Sequence, residues 1–195
     1  FYLPVMKDTP LDPKKVPTVA QVQRLFDVCG DNLLGDRDRA LLALLYGCGL
    51  RRGEAYLLDV GDVDLVRGSV WVRRSKTGAQ RLVPLSEGTK KHLERYRFRT
   101  RPLLAPHGGT ENAFLVSKYG KRLSKVGVAH RVKELCREAG LKGITAHGLR
   151  HAIATHLLDS LPLEDIARFL GHTSLDSTQK YTHVNRLQAG QKNGQ

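Results

Sequence analysis

Residues 146–156 read Ala-His-Gly-Leu-Arg-His-Ala-Ile-Ala-Thr-His, and this stretch does most to decide which fold the chain can adopt. Thr145 can cap a helix that runs through it. Residues three and four apart share a helix face, so His147 and Arg150 point the same way and His151 lies nearby. A guanidinium offers two parallel donors to phosphate oxygens, and an imidazole can move a proton near neutral pH. We interpret this helix as one wall of a phosphate site.

A metal site is the alternative interpretation of the same helix. His147 and His151 are spaced like two zinc ligands, but the glutamate of a His-Glu-x-x-His motif is absent and no third ligand is evident in the sequence. The fixed positive charge of Arg150 would also oppose a cation. We therefore expect no metal here.

Other residues that suit a phosphate lie on both sides of this helix. Arg51 follows a glycine turn at the start of a predicted helix, where free N–H groups favour anions, and Glu54 can hold its side chain. Lys76 lies at the tip of a predicted hairpin. His172 ends a short helix, and Tyr181 follows nine residues later.

Taken singly, these residues have ordinary interpretations, since a lone arginine or lysine is usually a solvated surface residue. Their order, Arg, Lys, His-x-x-Arg, His, Tyr, resembles the tyrosine recombinases, or lambda integrase family, and most of all the bacterial Xer recombinases. The resemblance runs from about Val16 to Val184 and includes residues 81–85, Arg-Leu-Val-Pro-Leu, and 181–183, Tyr-Thr-His. It implies the family's catalytic-domain fold, mainly α with a small three-stranded antiparallel β-sheet.

The resemblance also implies a covalent mechanism on DNA. Arg51 and Arg150 would clamp the non-bridging oxygens of the scissile phosphate and stabilise its transition state. Tyr181 would attack phosphorus in line and leave a 3′-phosphotyrosine. Because the tyrosyl linkage keeps the energy of the phosphodiester, neither ATP, nor a metal, nor another cofactor is expected.

Supporting roles follow from the same resemblance. Lys76 would protonate the departing 5′ oxygen, His147 would serve in acid–base transfer at the tyrosine oxygen, His172 would hydrogen-bond the phosphate, and Glu54 would orient Arg51. Further basic residues are expected to contact DNA, namely Arg52, Arg73, Arg74, Lys121, Arg122, Lys125 and His151.

Composition is compatible with this interpretation. The 195 residues are 41% hydrophobic and 26% charged, in the globular range, and 32 Lys and Arg against 19 Asp and Glu give a net charge of +13. Such an excess attracts polyanions, and double-stranded DNA is the expected partner. The three cysteines are few and widely spaced, which favours reduced thiols in the cytosol. No apolar run reaches the roughly 20 residues of a membrane span, so we expect a cytoplasmic, nucleoid-associated protein without a membrane partner.

Hydrophobic periodicity predicts helices separated by a short β-sheet. The expected helices cover residues 18–29, 37–46, 51–58, 87–99, 124–139, 145–158, 164–170 and 177–185, and the expected strands cover 64–66, 69–74 and 81–85. We expect a proline-rich linker over 1–17, the catalytic domain over 18–187 and a polar tail over 188–195. The family's N-terminal core-binding domain is expected to be absent from this chain, which begins at Phe1.

Two alternatives to site-specific recombination remain open. A type IB topoisomerase uses similar residues to relax DNA, and a non-catalytic DNA-binding protein could keep the fold. For a recombinase, the C-terminal segment, with Val184 and Leu187, would join a homotetramer or hetero-tetramer on DNA. The sequence leaves open the target site and the choice between integration, excision, dimer resolution and transposition.

Overall fold

The computed structural model describes residues 16–73, 80–105 and 112–171 and shows helices around one small β-sheet. The helices are α1 (Val19–Asp27), α2 (Leu33–Leu42), α3 (Arg52–Leu57), α4 (Glu87–Arg95), α5 (Arg101–Leu104), α6 (Lys125–Glu138), α7 (Ala146–Leu157) and α8 (Leu163–Leu170). The strands are β1 (Val63–Asp64), β2 (Ser69–Val72) and β3 (Arg81–Pro84), antiparallel in the order β1-β2-β3. The expected fold class is confirmed. Across the described ranges, every helix is too short or too polar to span a bilayer.

Side-chain caps fix where several helices begin. Thr18 and Gln21 form a capping box at α1, and Thr145 accepts a hydrogen bond from the N–H of Gly148 at the start of α7. The predicted start of α2 at residue 37 was wrong. Asn32 accepts a hydrogen bond from the N–H of Gly35, and this cap starts the helix at Leu33.

The apolar run at residues 40–45 is apolar on every face of the helix, is fully buried and forms the centre of the core. Here α2 widens into a π-helical turn over Ala43–Gly47, and the N–H of Cys48 donates to the carbonyl of Ala43 at 3.0 Å. Such turns are rare and occur frequently at functional sites. This one leads directly into Gly49 and the start of α3.

The β-sheet is shorter than its sequence pattern predicts. β1 ends at Asp64 rather than residue 66, because the N–H of Arg67 donates to the Asp64 carboxylate at 2.8 Å and closes the turn early. In β2 and β3, Val70 and Val83 pair and face the core, whereas Trp71 and Leu82 pair on the outer face. The predicted hairpin tip with Lys76 lies outside the described residues.

The helix predicted over residues 87–99 also differs from the structure. α4 ends at Arg95, a π-helical turn covers Tyr96–Thr100, and α5 extends the helical path to Leu104. Pro102 lies in the first turn of α5, where proline is tolerated, so it does not end the helical path. The predicted helix over 177–185, the tail and most of the linker lie outside the described residues.

Candidate active site

A buried carboxylate lies at the centre of the site. Glu54 in α3 is 4% exposed and accepts hydrogen bonds from the backbone N–H of Arg51 at 2.8 Å and from the Arg51 guanidinium at 3.0 Å. Arg81, on β3, donates two parallel hydrogen bonds to the same carboxylate, at 2.9 and 3.0 Å. Glu54 therefore joins the start of α3 to the sheet.

Arg150 brings two further segments to this carboxylate. Its side chain, 1% exposed within α7, donates to the carbonyl of Gly49 and to the carbonyl of Leu170 at 2.6 Å. One terminal nitrogen lies 3.9 Å from Glu54. The turn before α3, the middle of α7 and the end of α8 are thus held together by one guanidinium.

Among the described residues of this cluster, positive groups outnumber carboxylates. Three guanidiniums, those of Arg51, Arg81 and Arg150, surround the single carboxylate of Glu54. Burial raises the pKa of Glu54, but the hydrogen bond and charge of Arg81, the backbone of Arg51 and the charge of Arg150 outweigh it and hold the pKa below its usual value. The Arg51 side chain is 28% exposed, so the positive excess is accessible from solvent at that edge. An anion would balance it.

His147 and His151 form a pair on α7. Their Nε2 atoms are 2.6 Å apart and the ring centroids are 3.9 Å apart. A hydrogen bond between two imidazole nitrogens needs one donor and one acceptor, so at least one ring is neutral. His147 is exposed, whereas His151 is half-buried. Among residues 16–73, 80–105 and 112–171, no group of three or more His, Cys, Asp or Glu residues could hold a metal ion.

The residues expected to contact DNA differ in how many contacts they already make within the protein. Arg52, Lys121 and Lys125 are exposed. Arg73 is paired with the buried carboxylate of Asp62 through a side chain that stays 54% exposed.

Arg122 is more strongly engaged within the protein. Its guanidinium donates to the carbonyls of Tyr56 and Leu58 at 3.0 and 3.2 Å and to the carboxylate of Asp59 at 2.6 Å. These contacts fasten the segment before α6 to the end of α3. A DNA contact by Arg122 remains a prediction beside this structural role.

Three of the six expected catalytic residues lie outside the described residues, namely Lys76, His172 and Tyr181, and so does Arg74. The other three, Arg51, His147 and Arg150, lie on α7 or at the start of α3. The roles assigned to all six remain predictions.

Arg81 is the residue that the sequence interpretation missed. It belongs to residues 81–85, which contribute to the resemblance, but the sequence predicted no role for it. The alternating pattern of β3 places it on the same face as Val83, toward the core, and it is 9% exposed. A buried arginine needs a partner, so this position was a detectable signal.

Comparison with known proteins places the chain in a family. The model of the Phage integrase family matches residues 15–188. Tyrosine recombinase XerD of Oceanobacillus iheyensis is 38% identical over 184 residues, which cover 92% of this chain and 62% of that protein. The chain thus spans less than two thirds of the length of this curated relative.

Solved structures show the same fold. The crystal structure of XerA recombinase matches with a TM-score of 0.77 at 27% identity, covering 92% of this chain and 65% of that one. XerH site-specific recombinase, in a post-cleavage complex with a palindromic difH substrate, matches with a TM-score of 0.74 at 21% identity, covering 93% and 53%. From the family match and these folds together, the chain belongs to the phage integrase family and has the fold of tyrosine recombinase catalytic domains.

Proposed function

We propose that this chain is the catalytic domain of a site-specific DNA recombinase, which cuts and rejoins strands through a 3′-phosphotyrosine. The observation that carries the proposal is the convergence of Arg51 and Arg150, from distant parts of the chain, on the buried carboxylate of Glu54. His147 lies on α7 three residues before Arg150 and is exposed.

The proposed reaction is a pair of transesterifications. The Tyr181 hydroxyl attacks the scissile phosphorus, the Tyr181 O–P bond forms, and the bond from phosphorus to the 5′ oxygen breaks. His147 assists removal of the tyrosine proton, and Lys76 gives a proton to the 5′ oxygen. The 5′ hydroxyl of a partner strand then reverses these steps, so the number of phosphodiester bonds is conserved and no ATP is consumed.

The charge of the cluster supports this chemistry. Negative charge on the non-bridging oxygens must be stabilised as the pentacoordinate transition state forms, and preorganised positive groups do this at little reorganisation cost. Arg51 and Arg150 are held before any substrate arrives by Glu54, Gly49 and Leu170. Their guanidiniums thus supply positive charge in fixed positions.

Double-stranded DNA is the proposed substrate. The net charge of +13 favours it, and relatives carry the names of tyrosine recombinases. A tetramer on DNA, assembled through the C-terminal segment, is part of the proposal, as is an action on the nucleoid in the cytoplasm.

The proposal is tested by incubating the protein with a nicked suicide substrate, a DNA duplex that carries a candidate core site. The wild-type chain should form a covalent protein–DNA adduct that survives denaturation. Tyr181→Phe should bind the same duplex with similar affinity and form no adduct. Adduct formation by the Tyr181→Phe variant would contradict the assigned nucleophile, and a wild-type chain that binds without any adduct would support a non-catalytic DNA-binding protein instead.

Products separate recombination from the topoisomerase alternative. A recombinase given two intact core sites should yield recombinant junctions. A topoisomerase-like enzyme should relax supercoiled plasmid without exchanging strands. Relaxation of the plasmid without recombinant junctions would instead support a topoisomerase activity.

A further inference from the structure

We propose that Arg81 is a positioning residue for the phosphate site, acting through Glu54 and the end of α8. The inference rests on the proposed function and adds a residue to which no role was assigned. Arg81 is 9% exposed at the start of β3, so we expect it to act through its neighbours without touching the DNA.

The contacts of Arg81 join three segments that border the site. Its two terminal nitrogens donate to both oxygens of Glu54, which in turn hold the backbone and the guanidinium of Arg51. Its Nε donates to the carbonyl of Phe169 at 3.1 Å, near the end of α8. Arg81 therefore holds Glu54, which supports Arg51, and also holds the end of α8, which precedes His172 in the sequence.

The turn after α8 fits closely against Arg81. Gly171 has a φ of +66°, a left-handed conformation that favours glycine. A Cβ atom on Gly171 would lie 2.7 Å from the Cδ of Arg81, closer than real Cβ contacts come. Glycine thus lets the chain turn tightly beside Arg81 just before His172.

Arg81 also lies at the base of the hairpin that is expected to carry Lys76. It pairs with Val72 across β2 and β3, and the chain between these strands contains residues 74–79. Arg81 thus joins this end of the sheet to Glu54.

A purely stabilising role explains this arrangement less well. A buried ion pair is weak evidence for stability, because desolvation of both charges offsets their attraction. Here Glu54 also has partners in Arg51 and Arg150, so in the described part of the chain Arg81 is a third guanidinium around one carboxylate. That excess is useful when a phosphate must bind beside it.

A lysine cannot reproduce the planar set of donors on the guanidinium of Arg81. A lysine side chain at this position would keep the charge but could not donate to both oxygens of Glu54 and to the carbonyl of Phe169 in fixed geometry. Arg81→Lys therefore tests position separately from charge. Arg131→Lys is the matched control, because Arg131 donates to the buried carboxylate of Asp38 at 2.8 Å in a different ion-pair cluster.

The experiment measures adduct formation on the nicked duplex at saturating DNA, DNA affinity and the melting temperature of the 195-residue chain. We expect Arg81→Lys to slow adduct formation by roughly 100-fold, the scale of a displacement of about 1 Å, with DNA affinity retained. Arg131→Lys should lower the melting temperature and keep the wild-type rate. A folded Arg81→Lys variant with the wild-type rate would overturn the inference.

A double-mutant cycle shows whether Arg81 acts through Arg51. If it does, Arg81→Lys combined with Arg51→Lys should lose little more rate than Arg51→Lys alone, because the two changes damage one unit. If the rate losses of the two single variants multiplied in the double variant, Arg81 would not act through Arg51.

Inorganic phosphate provides a readout that needs no DNA cleavage. Phosphate should raise the melting temperature of the wild-type chain and of Arg131→Lys, and should do so much less for Arg81→Lys. An equal rise for wild type and Arg81→Lys would overturn the positioning role. In a further outcome, the wild-type chain forms no adduct while phosphate still raises its melting temperature more than that of Arg81→Lys. That result would contradict the proposed function but would keep Arg81 as a residue that supports an anion site.

Discussion

The guanidinium of Arg150 donates a hydrogen bond to the carbonyl oxygen of Gly49, which ties α7 to the turn that leads into α3. Gly49 has a φ of +59°, and a Cβ there would lie 2.9 Å from Leu170 and 3.1 Å from Phe169. Three segments therefore meet at a residue without a side chain, two positions before Arg51.

Gly49→Ala should destabilise the protein. The left-handed backbone costs an L-residue about 1–2 kcal/mol, and the new methyl group would collide with α8. Urea unfolding should therefore show a loss of about 2 kcal/mol or more. Gly88→Ala is the control, because nothing lies within 4 Å of that Cβ in α4 and alanine favours the helix by up to about 1 kcal/mol. Equal unfolding free energies for the two variants would contradict the strained turn.

Glu54→Gln should remove a pH-dependent part of the stability. The folded-state pKa of Glu54 is lowered, so its stabilising contribution is complete above the pKa of an unfolded glutamate and is lost as pH falls through the lower, folded value. Breaking such a buried pair costs about 3–5 kcal/mol. Urea unfolding should show this loss at about pH 7 and a smaller one below about pH 4.

The matched control for Glu54 is Glu134→Gln, which changes a carboxylate paired with Arg137 at 3.1 Å on an exposed face of α6. It should alter the unfolding free energy little at either pH, since exposed pairs contribute little. A Glu54→Gln variant whose loss did not change with pH would refute the assigned coupling.

Lys121 and Arg122 are adjacent but should respond differently to substitution by alanine. Lys121 is exposed, and its loss should lower the slope of log affinity for DNA against log salt by about 1 without changing stability. Arg122 bonds two carbonyls and Asp59, so its loss should cost about 2–3 kcal/mol of unfolding free energy. Fluorescence anisotropy over a salt series and urea unfolding measure the two effects. An Arg122→Ala variant with the wild-type unfolding free energy would show that these contacts do not stabilise the protein.

The three cysteines should be unreactive in the folded protein. Burial raises the pKa of Cys29 and Cys48 to about 12 and that of Cys136 to about 11, with Asp38 adding to the effect at Cys29. At about pH 8, roughly one thiol in a thousand or fewer is then ionised. A thiol reagent should label none in buffer and all three in denaturant. Rapid labelling of the folded chain would contradict the described burial.

Local signals in the sequence predicted much of the fold. The capping box of Thr18, the cap at Thr145 and the all-round apolar run at 40–45 each specify an element through neighbours within one or two turns. The alternating pattern of the strands predicted the small sheet in the same way.

Features that depend on distant contacts were harder to predict. The π-helical turn at Ala43–Gly47 lies in the buried core helix, and no residue type signals it in the sequence. The bond from Arg81 to Glu54 joins residues 27 positions apart, and the sequence does not say which arginine reaches the carboxylate. Arg51, His147 and Arg150 were predicted as site residues because their spacing, and their order along the chain, resemble those of the family.

We infer that Arg51 and Arg150 neutralise the charge of the scissile phosphate, and a neutral methylphosphonate in place of that phosphate isolates this role. Arg51→Ala is the variant of choice, because Arg51 is partly exposed and Arg150 is buried. On the natural phosphate, Arg51→Ala should slow adduct formation by about 100-fold or more relative to wild type. On the methylphosphonate, which lacks the charge, Arg51→Ala should cleave at nearly the wild-type rate. An equal loss on both substrates would contradict the claim.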